Sequence, residues 1–128
     1  MFNRLKGQII ALGVRLALFM GYVVIVIGVA RSGKTFILER ATPGKIIDKK
    51  SEVLKSGIKP VLLAEEIPTG AFAIDETQLF DADSLISTLD SLTERSYLIA
   101  IQSKNVSLSM GLDRLFSKRR RVEITLTR

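Results

Sequence analysis

The sequence contains no cysteine and no histidine. Without cysteine there are no disulfides and no thiolate metal sites. Without histidine there are no zinc–imidazole centres, no Ser-His triads and no imidazole acid–base chemistry. Aromatic residues make up only 6% of the chain, so a base-stacking platform for single-stranded nucleic acid has little to be built from. No low-complexity linker and no internal repeat interrupts the 128 residues, a length that suits one compact domain. Apolar residues at 47% and charged residues at 25% are ordinary for a folded protein and exclude general disorder. Any chemistry must therefore come from carboxylates, lysine, arginine, hydroxyls, backbone amides and a borrowed metal ion.

The formal net charge of +6 hides a pattern. Residues 1–60 carry 11 Lys+Arg against 3 Asp+Glu, residues 61–100 carry 1 against 8, and residues 101–128 carry 7 against 2. An acidic middle between two basic ends predicts either a polar site flanked by surfaces for anionic partners or simply solvated faces.

An apolar stretch runs from Ile9 to Ala30, broken by Arg15, Gly13, Gly21 and Gly28. A bilayer span needs ~20 apolar residues, and a secretory signal also shows a basic start before an apolar run. Tyr22–Ile27 is required elsewhere, as a strand. That leaves about 13 residues (Gln8–Met20), too few to span. Asn3–Phe19 is expected to be a helix that is apolar around most of its circumference, either buried or docked on a membrane or partner. The chain thus divides into this helix, residues 1–20, and a core, residues 21–128.

Tyr22–Ile27 is a continuous apolar, β-branched run between two glycines, the pattern of a strand buried on both faces of a parallel sheet. Ala71–Ile74 and Tyr97–Ile101 read the same way. Lys45–Asp48 is a candidate short strand, and Pro60–Ile67 is ambiguous between strand and helix. Arg121–Leu126 alternates Val122, Ile124 and Leu126, which suits a last strand at a sheet edge. Helices are expected at Lys34–Arg40, Ser51–Ser56 (Ser51 a candidate cap), Asp83–Glu94 and Leu108–Phe116. Alternating strands and helices imply an α/β fold: a mostly parallel β-sheet sandwiched by helices.

Gly28-Val-Ala-Arg-Ser-Gly33-Lys34-Thr35 fits G-x-x-x-x-G-K-[ST] at every defined position. Average residue usage gives such a match by chance in roughly one chain of this length in several hundred. A buried strand precedes it and a helical segment follows, as the motif requires. The spacing has a chemical reason. A triphosphate is a dense anion whose water must be replaced by donors. Backbone N–H groups of the loop and of the helix start supply them, aided by the helix dipole. Gly28 and Gly33 permit close approach and unusual dihedrals. Lys34 is placed to reach the β- and γ-phosphates, and Thr35 to ligate Mg²⁺ through its hydroxyl. Ser32 and Arg31 complete the expected nucleotide contacts.

Ala71–Glu76 is four apolar residues followed by Asp75 and Glu76, the form of a Walker B strand. Asp75 is expected to hold Mg²⁺, directly or through water. Glu76 is expected to act as general base on the attacking water. The alternative is two solvated acids closing a strand.

The pairing of GVARSGKT with AFAIDE resembles the P-loop ATPase division that carries an additional catalytic glutamate. The resemblance implies the P-loop NTPase fold at minimal size, with a further strand between the Gly28 and Asp75 strands. The next strand should end in a polar sensor. Tyr97–Ile101 ends in Gln102, which the resemblance assigns to the γ-phosphate or the water. The string IDETQLF (Ile74–Phe80) is similar to the DEAQ segment of HerA/FtsK-type DNA pumps and of zonula-occludens-toxin-like ATPases of phages, with Thr77 where alanine is usual. These motifs run from Tyr22 to Gln102. The resemblance implies a self-associating ATPase that uses ATP and Mg²⁺, acting on DNA or on a protein-transport partner in plasmid or phage processes. A cytoplasmic location is expected, with the first helix a candidate for peripheral contact with the inner membrane face.

Such ATPases complete their site with an arginine from a neighbouring subunit. Arg114 and the run Lys118–Arg121, including Arg119 and Arg120, are candidates, either for that role or for nucleic-acid phosphates. A solvated basic loop is the alternative. Two other functions share the loop: a nucleotide or small-molecule kinase, and a non-hydrolysing, nucleotide-gated adaptor at a membrane. A GTPase is disfavoured because no N-K-x-D string exists, although Ser103-Lys104-Asn105 superficially resembles one.

Overall fold

The computed structural model describes residues 4–29, 32–42 and 44–126. Helix α1 (Arg4–Phe19) turns at Gly21 into β1 (Val23–Ile27), and α2 (Lys34–Ala41) follows the glycine loop. Next come β2 (Ile46–Ile47), α3 (Lys50–Ser56), β3 (Phe72–Ile74) and α4 (Ala82–Asp90). The chain closes with β4 (Tyr97–Ile101), α5 (Lys104–Met110), α6 (Leu112–Phe116) and β5 (Arg121–Thr125). The five strands form one parallel sheet in the order β2-β3-β4-β1-β5. This is the α/β sandwich expected from the alternation of elements.

The burial explains why β1 and β4 are apolar at every position. Val23, Ile25 and Ile27 face a core layer shared with Leu85, Leu89, Leu112 and Phe116 of α4 and α6. Val24 and Val26 face a second layer shared with Ala11, Val14 and Leu18 of α1 and Ile37 and Leu38 of α2. A strand covered on both sides has no solvent face to make polar. Truncating one such residue, Ile99 for example, costs about 2–5 kcal/mol through lost transfer energy and an unfilled cavity. Helix α1 contributes to the same layer as α2 and β1.

Several elements differ from expectation, each for a visible reason. Pro60–Ile67 forms no strand, and α4 takes both backbone groups of Leu62. Ser84 Oγ accepts from Leu62 N–H at 3.1 Å, and Thr88 Oγ1 donates to the Leu62 carbonyl at 3.1 Å. A single 3-10 turn, Ala64–Glu66, follows. The helix expected to run to Glu94 stops at Asp90, where the carbonyls of Leu92 and Arg95 turn outward to the Arg119 guanidinium. The start of that helix is capped by Asp81, whose Oδ2 accepts from Ser84 N–H at 3.0 Å. Ser51 is not a cap; it lies inside α3. Leu108–Phe116 is not one helix, because Gly111, at φ +83°, breaks it into α5 and α6.

Candidate functional site

Parallel pairing brings the C-terminal ends of β1, β3 and β4 to one edge. Ile27 lies opposite Ile101, and Ile74 opposite Ile99, so Gly28, Asp75 and Gln102 emerge side by side. β4 sits between β1 and β3, where the resemblance placed a strand. The connection leaving β1 enters α2 on one face of the sheet, and the connection leaving β4 enters α5 on the other. Neighbouring strands whose connections diverge leave a crevice at their carboxyl ends, the usual binding place in open α/β sheets.

The glycine loop forms one wall of the crevice. A Cβ on Gly28 would fall on the Ser32 hydroxyl and lie 3.0 Å from Ser32 Cβ and 3.3 Å from Leu126 Cβ, so only glycine fits there. Ser32 N–H donates to the Val29 carbonyl at 3.2 Å, tightening the loop. Gly33 takes φ +100° to enter α2, and no side chain caps that helix start. Ser32 is buried, and its hydroxyl has no partner among the described residues. Lys34 is only 5% exposed and donates its ammonium to the Gly28 carbonyl, back across the loop. Arg31 lies outside the described residues.

The carboxylates form the opposite wall. Asp75 is 5% exposed. Its Oδ2 accepts from Thr35 Oγ1 at 3.2 Å, and its Oδ1 accepts from Glu76 N–H at 2.9 Å. Burial pushes the Asp75 carboxyl above its usual range, and the negative charges of Glu76 and Asp48 push the same way. The Glu76 N–H and the Thr35 hydroxyl pull back without cancelling the rise. A buried carboxylate that feels other negative charge is a place where a cation is favourable.

Glu76 has φ 49° and ψ 50°, and it is the one non-glycine residue with positive φ among the described residues. That left-handed turn lets the second carboxylate leave the strand without pointing to the opposite face. Its side chain is held by Gln78, whose Nε2 donates to Glu76 Oε2. The other end of Gln78 reaches the neighbouring strand end, where its Oε1 accepts from the Gln102 N–H at 3.3 Å. Sequence reasoning assigned no role to Gln78, although it stands within IDETQLF; two residues past Glu76, it is in reach only because the chain coils there. The Gln102 side chain is exposed at the same edge. Thr77 is buried and donates Oγ1 to the Ile74 carbonyl at 3.3 Å, so a hydroxyl is accommodated where the similar segments carry alanine.

The basic run lies at the other end of the sheet, at the start of β5. Arg119 is committed to structure. It donates to the Leu92 carbonyl at 2.8 Å and to that of Arg95, and stacks 5.8 Å from the Tyr97 ring centroid. It is therefore not available as an arginine finger. Lys118 pairs with Asp90 at 3.5 Å, and Arg121 with Glu123 at 3.7 Å. Arg114, on α6, and Arg120, just before β5, are exposed. Ser103, of the string resembling a guanine-reading motif, caps α5 by accepting from Val106 N–H at 3.2 Å. No protein-family model matches the chain, and no curated protein matches it.

Proposed function

We propose that the chain binds a nucleoside triphosphate with Mg²⁺ at the β1–β4 crevice and hydrolyses it, with ATP the expected nucleotide. The observation that carries this reading is the Thr35 Oγ1–Asp75 Oδ2 contact at 3.2 Å. It joins the hydroxyl that closes the glycine loop to the carboxylate that closes β3. A hydroxyl and a carboxylate side by side, both hard oxygen donors, suit Mg²⁺, which takes few protein ligands and keeps water and phosphate oxygens. The described residues hold no cluster of three or more Asp, Glu, His or Cys able to hold a metal ion.

The roles follow from position. Gly28, Ser32 and Gly33 let the backbone approach the phosphates closely. Lys34 exchanges its bond to the Gly28 carbonyl for phosphate oxygens. Thr35 and Asp75 hold the metal, which when bound neutralises charge on the β- and γ-phosphates. Glu76 takes a proton from the attacking water as the new P–O bond forms and the bond to the β-phosphate oxygen breaks. Gln78 holds Glu76 in place, and Gln102 stands at the same edge to contact the γ-phosphate or the water. The test is calorimetric titration of the purified chain with Mg-ATP and Mg-GTP, beside phosphate release. Lys34→Ala should weaken binding by roughly 10–100-fold, the worth of a charge-assisted hydrogen bond. A folded chain that binds no Mg-nucleotide of any base sinks the proposal.

A further inference from the structure

Helix α1 carries two apolar stripes, and only one is used by the fold. Gly7, Ala11, Val14 and Leu18, at spacings of four, three and four, are buried against the sheet and α2. Leu5, Ile9, Leu12, Leu16 and Phe19 repeat the same spacing one face away and stand 65, 65, 67, 60 and 89% exposed. Met20 extends the stripe at 60%. A groove of about 820 Å³ opens beside it, lined by Leu12, Leu16 and Phe19 with Ala41 and Ala71. Isolated exposed leucines need no explanation, but a continuous stripe of six large apolar side chains along one helix does.

The charges beside the stripe select its occupant. At 100° per residue, Arg4, Gln8 and Arg15 line one border of the stripe and Lys6 the other. Helix α1 contains no acidic residue. Arg15 is the one charged residue lining the wide groove, and a smaller groove adds Arg40 beside it. A second copy of the chain would bring this cationic helix onto itself, like charge against like. An apolar stripe bordered by cations complements a surface that is apolar beneath and anionic at its rim. Long arginine and lysine stems reach such a rim while the leucines sink. At 16 residues, α1 is about 24 Å long. No helix among the described residues is long and apolar enough to cross a membrane. An apolar stripe bordered by cations suits lying in the interface plane.

We infer that the outer face of α1 docks the protein on an anionic lipid bilayer. Leu5, Ile9, Leu12, Leu16 and Phe19 enter the acyl boundary, and Arg4, Lys6 and Arg15 meet the lipid phosphates. Helix α1 packs on the sheet and α2 through its buried stripe, which leaves the outer stripe open to the bilayer. This docking stands independently of the nucleotide reading.

The test is flotation of the full chain, without nucleotide, on phosphatidylcholine vesicles with and without phosphatidylglycerol. The expected result is co-flotation with the anionic vesicles, release by salt and no flotation with the neutral ones. Leu12→Glu combined with Leu16→Glu changes only exposed side chains and should cut the bound fraction by roughly tenfold or more. The sequence has no tryptophan, so Phe19→Trp is a single reporter that keeps the face apolar. Its emission should shift to the blue on anionic vesicles. Lys34→Ala should float like the wild type, which separates this proposal from nucleotide binding. Absence of flotation and of the blue shift overturns the inference. Equal binding to neutral vesicles overturns the anionic recognition. A dimer that the Leu12/Leu16 double variant converts to monomer shows that a second copy covers the stripe, and overturns it too.

Discussion

Thr35 and Asp75, 40 residues apart in the chain, meet at 3.2 Å across the mouth of the β1–β4 crevice. The contact exists only because β3 is held two strands from β1 by β4, all three parallel and in register. It places a hydroxyl beside a buried carboxylate whose pKa is raised, the pair that would hold Mg²⁺ in the proposed function. Thr35→Ala should raise the Mg²⁺ concentration needed for half-maximal phosphate release by about tenfold, the worth of one charge-assisted oxygen contact. An unchanged Mg²⁺ titration would remove Thr35 from the metal.

Asp75 also gives a pH prediction with a definite sign. Its folded pKa is raised, chiefly by burial, so the folded state holds that proton more tightly than the unfolded chain does. In the absence of metal, ionised Asp75 therefore opposes folding at neutral pH, and the opposition fades as pH falls through the raised pKa toward the ordinary carboxylate range. Asp75→Asn should melt at a higher temperature than wild type at neutral pH. The gap should narrow on acidification, while Mg²⁺-dependent hydrolysis is lost. Melting curves across the acidic range decide it; a gap that widens on acidification contradicts the assignment.

Glu76 combines a strained backbone with the proposed proton acceptor, and two substitutions separate these. Glu76→Gln keeps the backbone and removes the base, so nucleotide binding should persist while hydrolysis falls by ~10²–10⁴-fold. Glu76→Gly relieves the left-handed conformation and should raise stability by up to about 1 kcal/mol, with the same loss of hydrolysis. Gln78→Ala leaves both and frees the carboxylate, which should lower turnover with little change in nucleotide affinity. Wild-type turnover in Glu76→Gln would end the general-base reading.

Gly28 offers a packing test. The added methyl of Gly28→Ala meets the Ser32 hydroxyl and Leu126 Cβ, and overpacking of this kind costs about 1–3 kcal/mol. Combining it with Ser32→Ala removes the hydroxyl though not Ser32 Cβ, so part of the stability should return. Denaturant midpoints of the two single variants and the double variant would show that coupling, and strict additivity would refute the contact.

Tyr97 is fully buried, and its hydroxyl has no hydrogen-bond partner among the described residues. Burial drives its pKa up to about 12. Its ring stacks on Phe72 at 5.6 Å between centroids and lies under Arg119. Tyr97→Phe keeps both ring contacts and deletes the orphaned hydroxyl. It should stabilise the fold by about 1 kcal/mol, read from thermal unfolding.

The strands β1 and β4, the glycine loop and the acidic end of β3 were legible in the residues because each obeys a local requirement. A strand covered on both faces must be apolar throughout, and a loop folded over its own Ser32 must begin with glycine. What lay beyond the sequence depended on partners distant in the chain. Residues 60–67 form no strand, and two hydroxyls on α4 claim Leu62. Whether Arg119 was free was settled by two carbonyls near the end of α4. Gln78 emerged as a link to Gln102 because β4 lies beside β3. Helix α1 shows the limit most clearly. Its sequence announces a helix that is apolar nearly all round, yet composition favours burying Leu5, Ile9, Leu12 and Leu16 as readily as Gly7, Ala11 and Val14. The sheet took the smaller set, since small side chains let the helix axis approach β1 and α2 closely, and close packing is decided by shape after hydrophobicity has been satisfied.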